Sequence, residues 1–331
     1  RSKERKQAIR EALIYGASIV VIYLLLGLAV TLLFGPAALN KLATNALFNV
    51  FFFLMLLVFG ASFLGGFEIK LPSSWTNKVD EKAGVIYFTA NGKNADENPY
   101  YEHLYRVNLD GSGLQQLTKG NYFHEVAVDD DARFILDNYS RIDTVPMAVV
   151  LDNKGNKVMD LQESDFSQLF ANGYKFPELF KVKAADGVTD LYGVMYKPFD
   201  FDSTKVYPIV DYVYPGPQVE AVYYPFTRMS VRTDRLAQAG FIVISVGQRG
   251  GHPSRSKWYH NYGYGNMRDY PLADHKYAIE QLANRHSFID IDKVGIHGHS
   301  GGGFMSTAAI CQYPDFFKVA VSCAGNHDNR I

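Results

Sequence analysis

The sequence predicts a three-part chain: an α/β fold with a doubly wound sheet over residues 181–331, partial β-propeller strands over 85–180, and an N-terminal transmembrane helical hairpin over 1–84. Three observations predict it. Two long apolar runs near the start carry no charge, the middle breaks into short strands ended by glycine turns, and the last part alternates strands with helices around one sharp corner.

The hairpin comes first. "LIYGASIVVIYLLLGLAVTLLF" (13–34) is uncharged over 22 positions and "LFNVFFFLMLLVFGASFLGGF" (47–67) over 21. Each run can cross about 30 Å of hydrocarbon as a helix. A cleaved signal peptide has one shorter apolar core, and buried helices of a soluble core rarely stay uncharged for so long, so the pair predicts an integral membrane hairpin. Arg1, Lys3, Arg5, Lys6 and Arg10 precede the first run and place the N-terminus in the cytoplasm; two crossings return the chain to that side. The formal net charge of −1 and a pI near 6.8 predict no nucleic-acid partner. The mean hydropathy of −0.10 averages the apolar start with a polar, tyrosine-rich remainder.

"LPSSWTNKVDEKAG" (71–84) is polar and closed by glycine, which reads as a linker. After it, "GVIYFTANG", "HLYRVNLDGSG", "LQQLTKG", "HEVAVDDDARFILDNYS" and "PMAVVLDNKGN" are β-type runs ended by Asn-Gly, Asp-Gly or Lys-Gly. Strand, Asp-Gly turn and strand again is the unit that propellers repeat, and one and a half to two such units are present. From about residue 180, "LYGVMY", "YPIVDYVY", "FIVISVG", "KVGIH" and "KVAVSC" read as strands. "RTDRLAQAG", "RDYPLADHKYAIEQLANR" and "GGFMSTAAICQYP" read as helices. Cys311 and Cys323 lie in apolar settings without C-x-x-C or ligand spacing, so they read as buried small hydrophobes.

The corner is "VGIHGHSGGGFMS" (294–306), in which Gly298-His299-Ser300-Gly301-Gly302 fits Gly-x-Ser-x-Gly between a strand pattern and a helix pattern. Small neighbours let the chain turn tightly and leave a serine oxygen exposed at the strand end, which suits a nucleophile. A nucleotide-binding turn would need Gly-x-Gly-x-x-Gly or a Lys-Ser/Thr pair, and neither is present here. Ser300 is therefore the candidate nucleophile. His299 cannot serve as its base, because adjacent residues at such an elbow point in different directions, and it reads as a packing residue. His252, His260, His275 and His286 read as solvated on loops and helix faces.

"YPIVDYVYPGPQ", "QRGG", the helix from Asp269 and "GHSGGG" resemble, in order and spacing, the prolyl oligopeptidase family of serine peptidases, nearest its dipeptidyl peptidase IV branch. The resemblance covers 85–331 and implies an incomplete, C-terminally truncated α/β-hydrolase domain after the last blades of a propeller. It implies a peptide substrate, no cofactor and no metal, with Ser300 attacking the scissile carbonyl to give an acyl-enzyme. It also implies an oxyanion hole made by the backbone N–H of Gly301 and the hydroxyl of Tyr214, which stands in a Val-Tyr-x-Gly-Pro turn.

Hydrolases of this fold supply aspartate and then histidine on loops well after the serine, yet 31 residues follow Ser300. Asp315, His327 and Asp328 are the candidates there. Asp315 falls at the end of the serine's helix and the other two are neighbours, so the triad is incomplete and an inactive chain is an expectation. The propeller blades that carry the family's acidic amino-terminus-binding residues are also missing.

Residues 1–84 resemble an internal piece of the thiol:disulfide interchange (cytochrome c biogenesis) transmembrane family, without its intramembrane cysteines. The peptidase family implies a periplasmic or exterior catalytic part, whereas the span count places it in the cytoplasm, and that conflict predicts a fusion of two partial genes. Two other readings stay open: an esterase or lipase on the same scaffold, and a non-catalytic membrane fragment.

Overall fold

Turn-forming glycines divide the first described segment into eight strands, and these pair as two four-stranded antiparallel sheets in the computed structural model. It describes residues 78–80, 84–216, 219–226, 233–266 and 269–327. The first sheet runs in order β1 (Lys78–Asp80), β2 (Val85–Asn91), β3 (Glu102–Asn108) and β4 (Gln115–Gln116). The second runs β5 (Phe123–Val128), β6 (Phe134–Ser140), β7 (Met147–Asp152) and β8 (Lys157–Glu163).

Alternation along β2 buries Val85 and Tyr87, which join Leu104, Leu117, Ile135, Val149 and Leu151 in one core shared by both sheets. Adjacent propeller blades pack in this way. Gly155 turns β7 into β8 at φ 80°, where a Cβ would come within 2.5 Å of the Leu117 carbonyl oxygen, so the turn tucks against the first sheet only as glycine.

A short helix, α1 (Ser167–Ala171), leads into a six-stranded sheet of order β14-β13-β11-β12-β10-β9. Its strands are β9 (Glu178–Lys183), β10 (Asp190–Tyr196), β11 (Tyr207–Tyr212), β12 (Ile242–Val246), β13 (Ile289–His299) and β14 (Phe317–Cys323). β9, β10 and β12 pair antiparallel, whereas β12, β11, β13 and β14 run parallel. Ile-Val-Ile-Ser-Val of β12 is buried throughout, as expected of a strand covered on both faces.

Helices α2 (Thr233–Ala237), α3 (Lys257–Asn261), α4 (Asp269–Arg285) and α5 (Gly301–Gln312) connect the strands. Leu272, Ile279 and Leu282 of α4 and Met305 and Ala309 of α5 pack with Ile209, Ile244, Val294 and Ile296 of the sheet. A second core joins Val194, Tyr196 and Val243 to Ala237 and to Tyr100 and Tyr101 from the β2–β3 loop, which ties the propeller-type sheets to the α/β part.

Several expectations shift. Strand β1 lies inside the stretch 71–84 read as a linker, and its register opposite Val85–Tyr87 makes it an edge of the first sheet. β8, β9, α1 and α3 have no counterpart in the sequence reading. Cys311 and Cys323 are exposed, not buried: Cys311 sits on the outer side of α5, and Cys323 ends β14, where Val319 and Val321 also face outward. The apolar runs 13–34 and 47–67, and with them the membrane hairpin and most of the stretch compared with the thiol:disulfide family, lie outside the described residues. Among the described residues no helix is long and apolar enough to cross a membrane.

Candidate active site

The sharp corner is real. Ser300 stands between β13 and α5 at φ 56° and ψ −117°, a left-handed conformation that L-residues rarely hold without help. Its N–H donates to the Cys323 carbonyl at 2.8 Å and its carbonyl accepts from the Phe304 N–H at 3.0 Å, so strand β14 and the first helical turn hold the backbone. Its side chain makes no capping bond and is half-buried, free to face a substrate.

Glycines let the corner close. A Cβ at Gly298 would lie 2.5 Å, and one at Gly302 2.1 Å, from the Val213 carbonyl oxygen, while one at Gly303 would lie 2.5 Å from that of Cys323. Ordinary side chains would therefore push the helix off the ends of β11 and β14.

β11 and β13 are neighbours, and the Val213 N–H donates to the His297 carbonyl at 3.0 Å, so the turn after β11 runs beside the elbow. Tyr214 is half-buried there. A Cβ added to Gly301 would be 3.8 Å from Tyr214 Cε2 and 3.9 Å from Cζ, which places the ring over the first residue of α5. The opposite ring edge leans on Gly216, where a Cβ would meet Cε1 at 2.4 Å, so the Tyr-x-Gly order gives the ring its room. The N–H of Gly301 opens the helix, where first-turn amides have no intrahelical acceptor and the dipole favours negative charge. The structure thus brings the Tyr214 ring beside Gly301, the residue that follows Ser300.

The histidines do not follow expectation as closely. His299 is exposed, because the elbow turns it outward, and is not a packing residue. His275 is fully buried rather than solvated: Nδ1 lies 2.7 Å from Asp211 Oδ2 and Nε2 lies 3.2 Å from Gln248 Oε1. Burial pulls its imidazole down, but the Asp211 charge and hydrogen bond, with Asp274 and Glu220 adding to them, leave it above the ordinary value. His252 is half-buried against the Ser254 hydroxyl at 2.6 Å, His260 Nδ1 lies 2.6 Å from the Gly251 carbonyl, and His286 stacks on Phe288.

His327 lies beside Gly325 and 3.5 Å from the Ser322 hydroxyl, and the main-chain carbonyl of Asp315 accepts from Lys318 Nζ. Asp328 lies outside the described residues. Among the described residues no imidazole hydrogen-bonds Ser300. The sequence reading missed Asp211 and misread His275; a charged residue inside the apolar strand "YPIVDYVY" is the one local signal that marks the pair.

Around the elbow two buried clusters brace the loops. Asp274 accepts from the Arg249 main-chain N–H at 3.0 Å and from its guanidinium at 2.7 Å, and Arg249 also reaches Asp186 at 3.0 Å. Burial pushes the Asp186 carboxyl up, but hydrogen bonds from Thr189 and Val188 and the Arg249 charge outweigh it and hold it at about 2. Glu220 accepts from the hydroxyls of Tyr100 and Tyr259, each at 3.0 Å, from Tyr224 at 3.2 Å and from the His252 N–H at 3.0 Å. Tyr100 comes from the propeller-type part, so this carboxylate fastens the two parts together.

Residues 227–331 match the prolyl oligopeptidase family, and residues 70–146 match the dipeptidyl peptidase IV N-terminal region. Human dipeptidyl peptidase 8 is 31% identical over 256 residues, which are 75% of this chain and 28% of that protein. Probable dipeptidyl-aminopeptidase B of Aspergillus oryzae is 29% identical over 251 residues, 74% of this chain and 26% of that protein. A crystal structure of a candidate dipeptidyl aminopeptidase IV from Bacteroides ovatus superposes with a TM-score of 0.62 at 25% identity, over 72% of this chain and 33% of that one.

The chain spans between about a quarter and a third of the length of these relatives. The two matches fall on the part of the hydrolase-type domain that carries the serine elbow and on the propeller-like strands at the start of the described chain. The N-terminal match reaches back to residue 70, so residues 70–84 read with the propeller part and not with the thiol:disulfide family.

Proposed function

We propose that Ser300 is the nucleophile of a site that releases dipeptides from peptide amino termini through an acyl-enzyme, with the Gly301 N–H and the Tyr214 hydroxyl as oxyanion donors. The observation that carries this reading is the strained Ser300 backbone, followed at once by Gly301 beside the Tyr214 ring. When Oγ adds to a carbonyl, the carbonyl oxygen gains a full negative charge, and donors already fixed in place stabilise it without reorganising. The names of the similar proteins support dipeptidyl release as the reaction.

Attack also requires that a base take the Oγ proton. The described residues bring no imidazole to Ser300, so slow acylation is part of the proposal. Anchoring through the apolar runs 13–34 and 47–67 is a further part and rests on the sequence alone.

A fluorophosphonate probe tests the reading. Mass spectrometry should find the probe on Ser300, slowly, and nowhere in Ser300→Ala. A fluorogenic dipeptide amide should be turned over in preference to its amino-acetylated form. Equal labelling of Ser300→Ala would end the nucleophile assignment, equal turnover of the acetylated form would end the dipeptide reading, and turnover of simple esters with none of the amide would favour an esterase.

A further inference from the structure

Asp211, His275 and Gln248 are all fully buried, and none of them belongs to the nucleophile's own chemistry. They nonetheless form a line to the oxyanion turn. Asp211 on β11 faces His275 on α4, His275 faces Gln248 just beyond β12, and Gln248 Nε2 donates to the Tyr214 main-chain carbonyl at 3.2 Å.

We propose that His275, clamped by Asp211, is a positioning residue that fixes the Gln248 side-chain amide, which in turn holds the Tyr214 carbonyl and thereby the oxyanion-binding turn. The proposal rests on the role given to Tyr214 above.

The directionality follows from counting protons. A Gln248 amide that donates Nε2–H to a carbonyl presents its oxygen to His275, so His275 Nε2 carries a proton there. The Asp211 carboxylate asks the same of Nδ1. With both nitrogens protonated, the ring and Asp211 form a buried ion pair, and the amide has one allowed orientation.

If Nε2 loses its proton it becomes an acceptor, and the amide gains by rotating its NH₂ group toward it. That rotation turns the amide oxygen toward the Tyr214 carbonyl, lone pairs against lone pairs, and the turn loses its hold. The charges facing the ring are Asp211 from β11, Asp274 next to it on α4 with its partner Arg249, and Glu220; His297 lies near Asp211 from β13. The carboxylates outnumber Arg249, so they favour the doubly protonated ring.

The full chain labelled with 3-fluorotyrosine tests this, with the residue-214 resonance identified by its loss in Tyr214→Phe. That resonance should follow one titration above the ordinary imidazole range. The titration should vanish in His275→Leu, and His275→Gln, which keeps a donor for Gln248, should hold the low-pH position at all pH. A pH-independent resonance, or a titration that survives His275→Leu, overturns the proposal. If His275→Leu does not fold, Gln248→Leu removes the link without an unpaired buried ion and should abolish the titration equally.

Fluorophosphonate labelling supplies the second readout. His275→Leu should slow labelling of Ser300 about tenfold, as weakening of one oxyanion donor does, and by less than about twofold in a Tyr214→Phe background. Equal losses in both backgrounds would reduce His275 to a structural role. If Tyr214→Phe leaves labelling unchanged while the fluorine resonance still follows His275, the catalytic reading of the tyrosine fails and the relay stands.

Discussion

Gly302 sits directly against the main-chain carbonyl of Val213, so close that a Cβ on it would come within 2.1 Å of the oxygen. The contact fixes the height of α5 over the end of β11, and therefore the distance from the nucleophile to the Tyr214 turn. Gly302→Ala has no flexible neighbour to displace, because the obstacle is backbone. We expect it to cost about 3 kcal/mol or more by urea unfolding and to abolish labelling of Ser300. Gly301→Ala is the control: its Cβ would meet nothing nearer than 3.8 Å, and stability should stay within about 1 kcal/mol of the parent.

Strain at Ser300 gives a second expectation. Its φ of 56° is a conformation that glycine takes freely and other residues hold at a cost of about 1–3 kcal/mol. Ser300→Gly should therefore raise the thermal midpoint while removing all labelling, and Ser300→Ala should remove labelling without that gain. A Ser300→Gly variant less stable than Ser300→Ala would show that the elbow stores no strain.

The elbow was legible because a sharp strand-to-helix turn has a local signature, Gly-x-Ser-x-Gly between two periodic segments. The parallel strands β11, β12 and β13 were legible for the same reason, as apolar runs between polar loops. β8 was not: all seven residues of "KVMDLQE" are exposed, so no buried face imprints alternation on them. His275 escaped for a different reason. Whether a helical histidine is solvated or buried depends on what faces it, and Asp211 lies 64 positions away in the chain. The cysteines were misread because an apolar sequence neighbourhood does not say which side of a strand or helix is covered.

The Arg249–Asp274 pair leads to a third expectation. Asp274 is fully buried and Arg249 nearly so, and the carboxylate also accepts from the Ala185 N–H at 2.9 Å. Removing one partner leaves an uncompensated buried charge, a change that costs about 3–5 kcal/mol, whereas exposed pairs such as Lys157–Asp160 contribute little. Asp274→Ala should lower the urea midpoint by that scale or prevent folding, and Asp160→Ala should leave it unchanged within error.

Glu220 and its three tyrosines predict how stability responds to alkali. Burial, and after it the Glu220 charge, raises the Tyr100 phenol; burial likewise puts Tyr259 and Tyr224 well above the ordinary value, with Glu220 adding to it. In the unfolded chain these phenols ionise near pH 10, as about 10 is the free value. A raised folded value means that the native state keeps protons which the unfolded state gives up. Stability is thus fully present below about pH 10 and lost as pH rises above it, by up to about 1.4 kcal/mol per pH unit for each such phenol. Ultraviolet titration of the native chain should leave these three tyrosines silent through the range in which free phenols ionise. Glu220→Gln removes the charge that disfavours ionisation, so the fall of unfolding free energy with pH should become shallower. An unchanged slope would mean that burial alone, without the carboxylate, holds the phenols neutral.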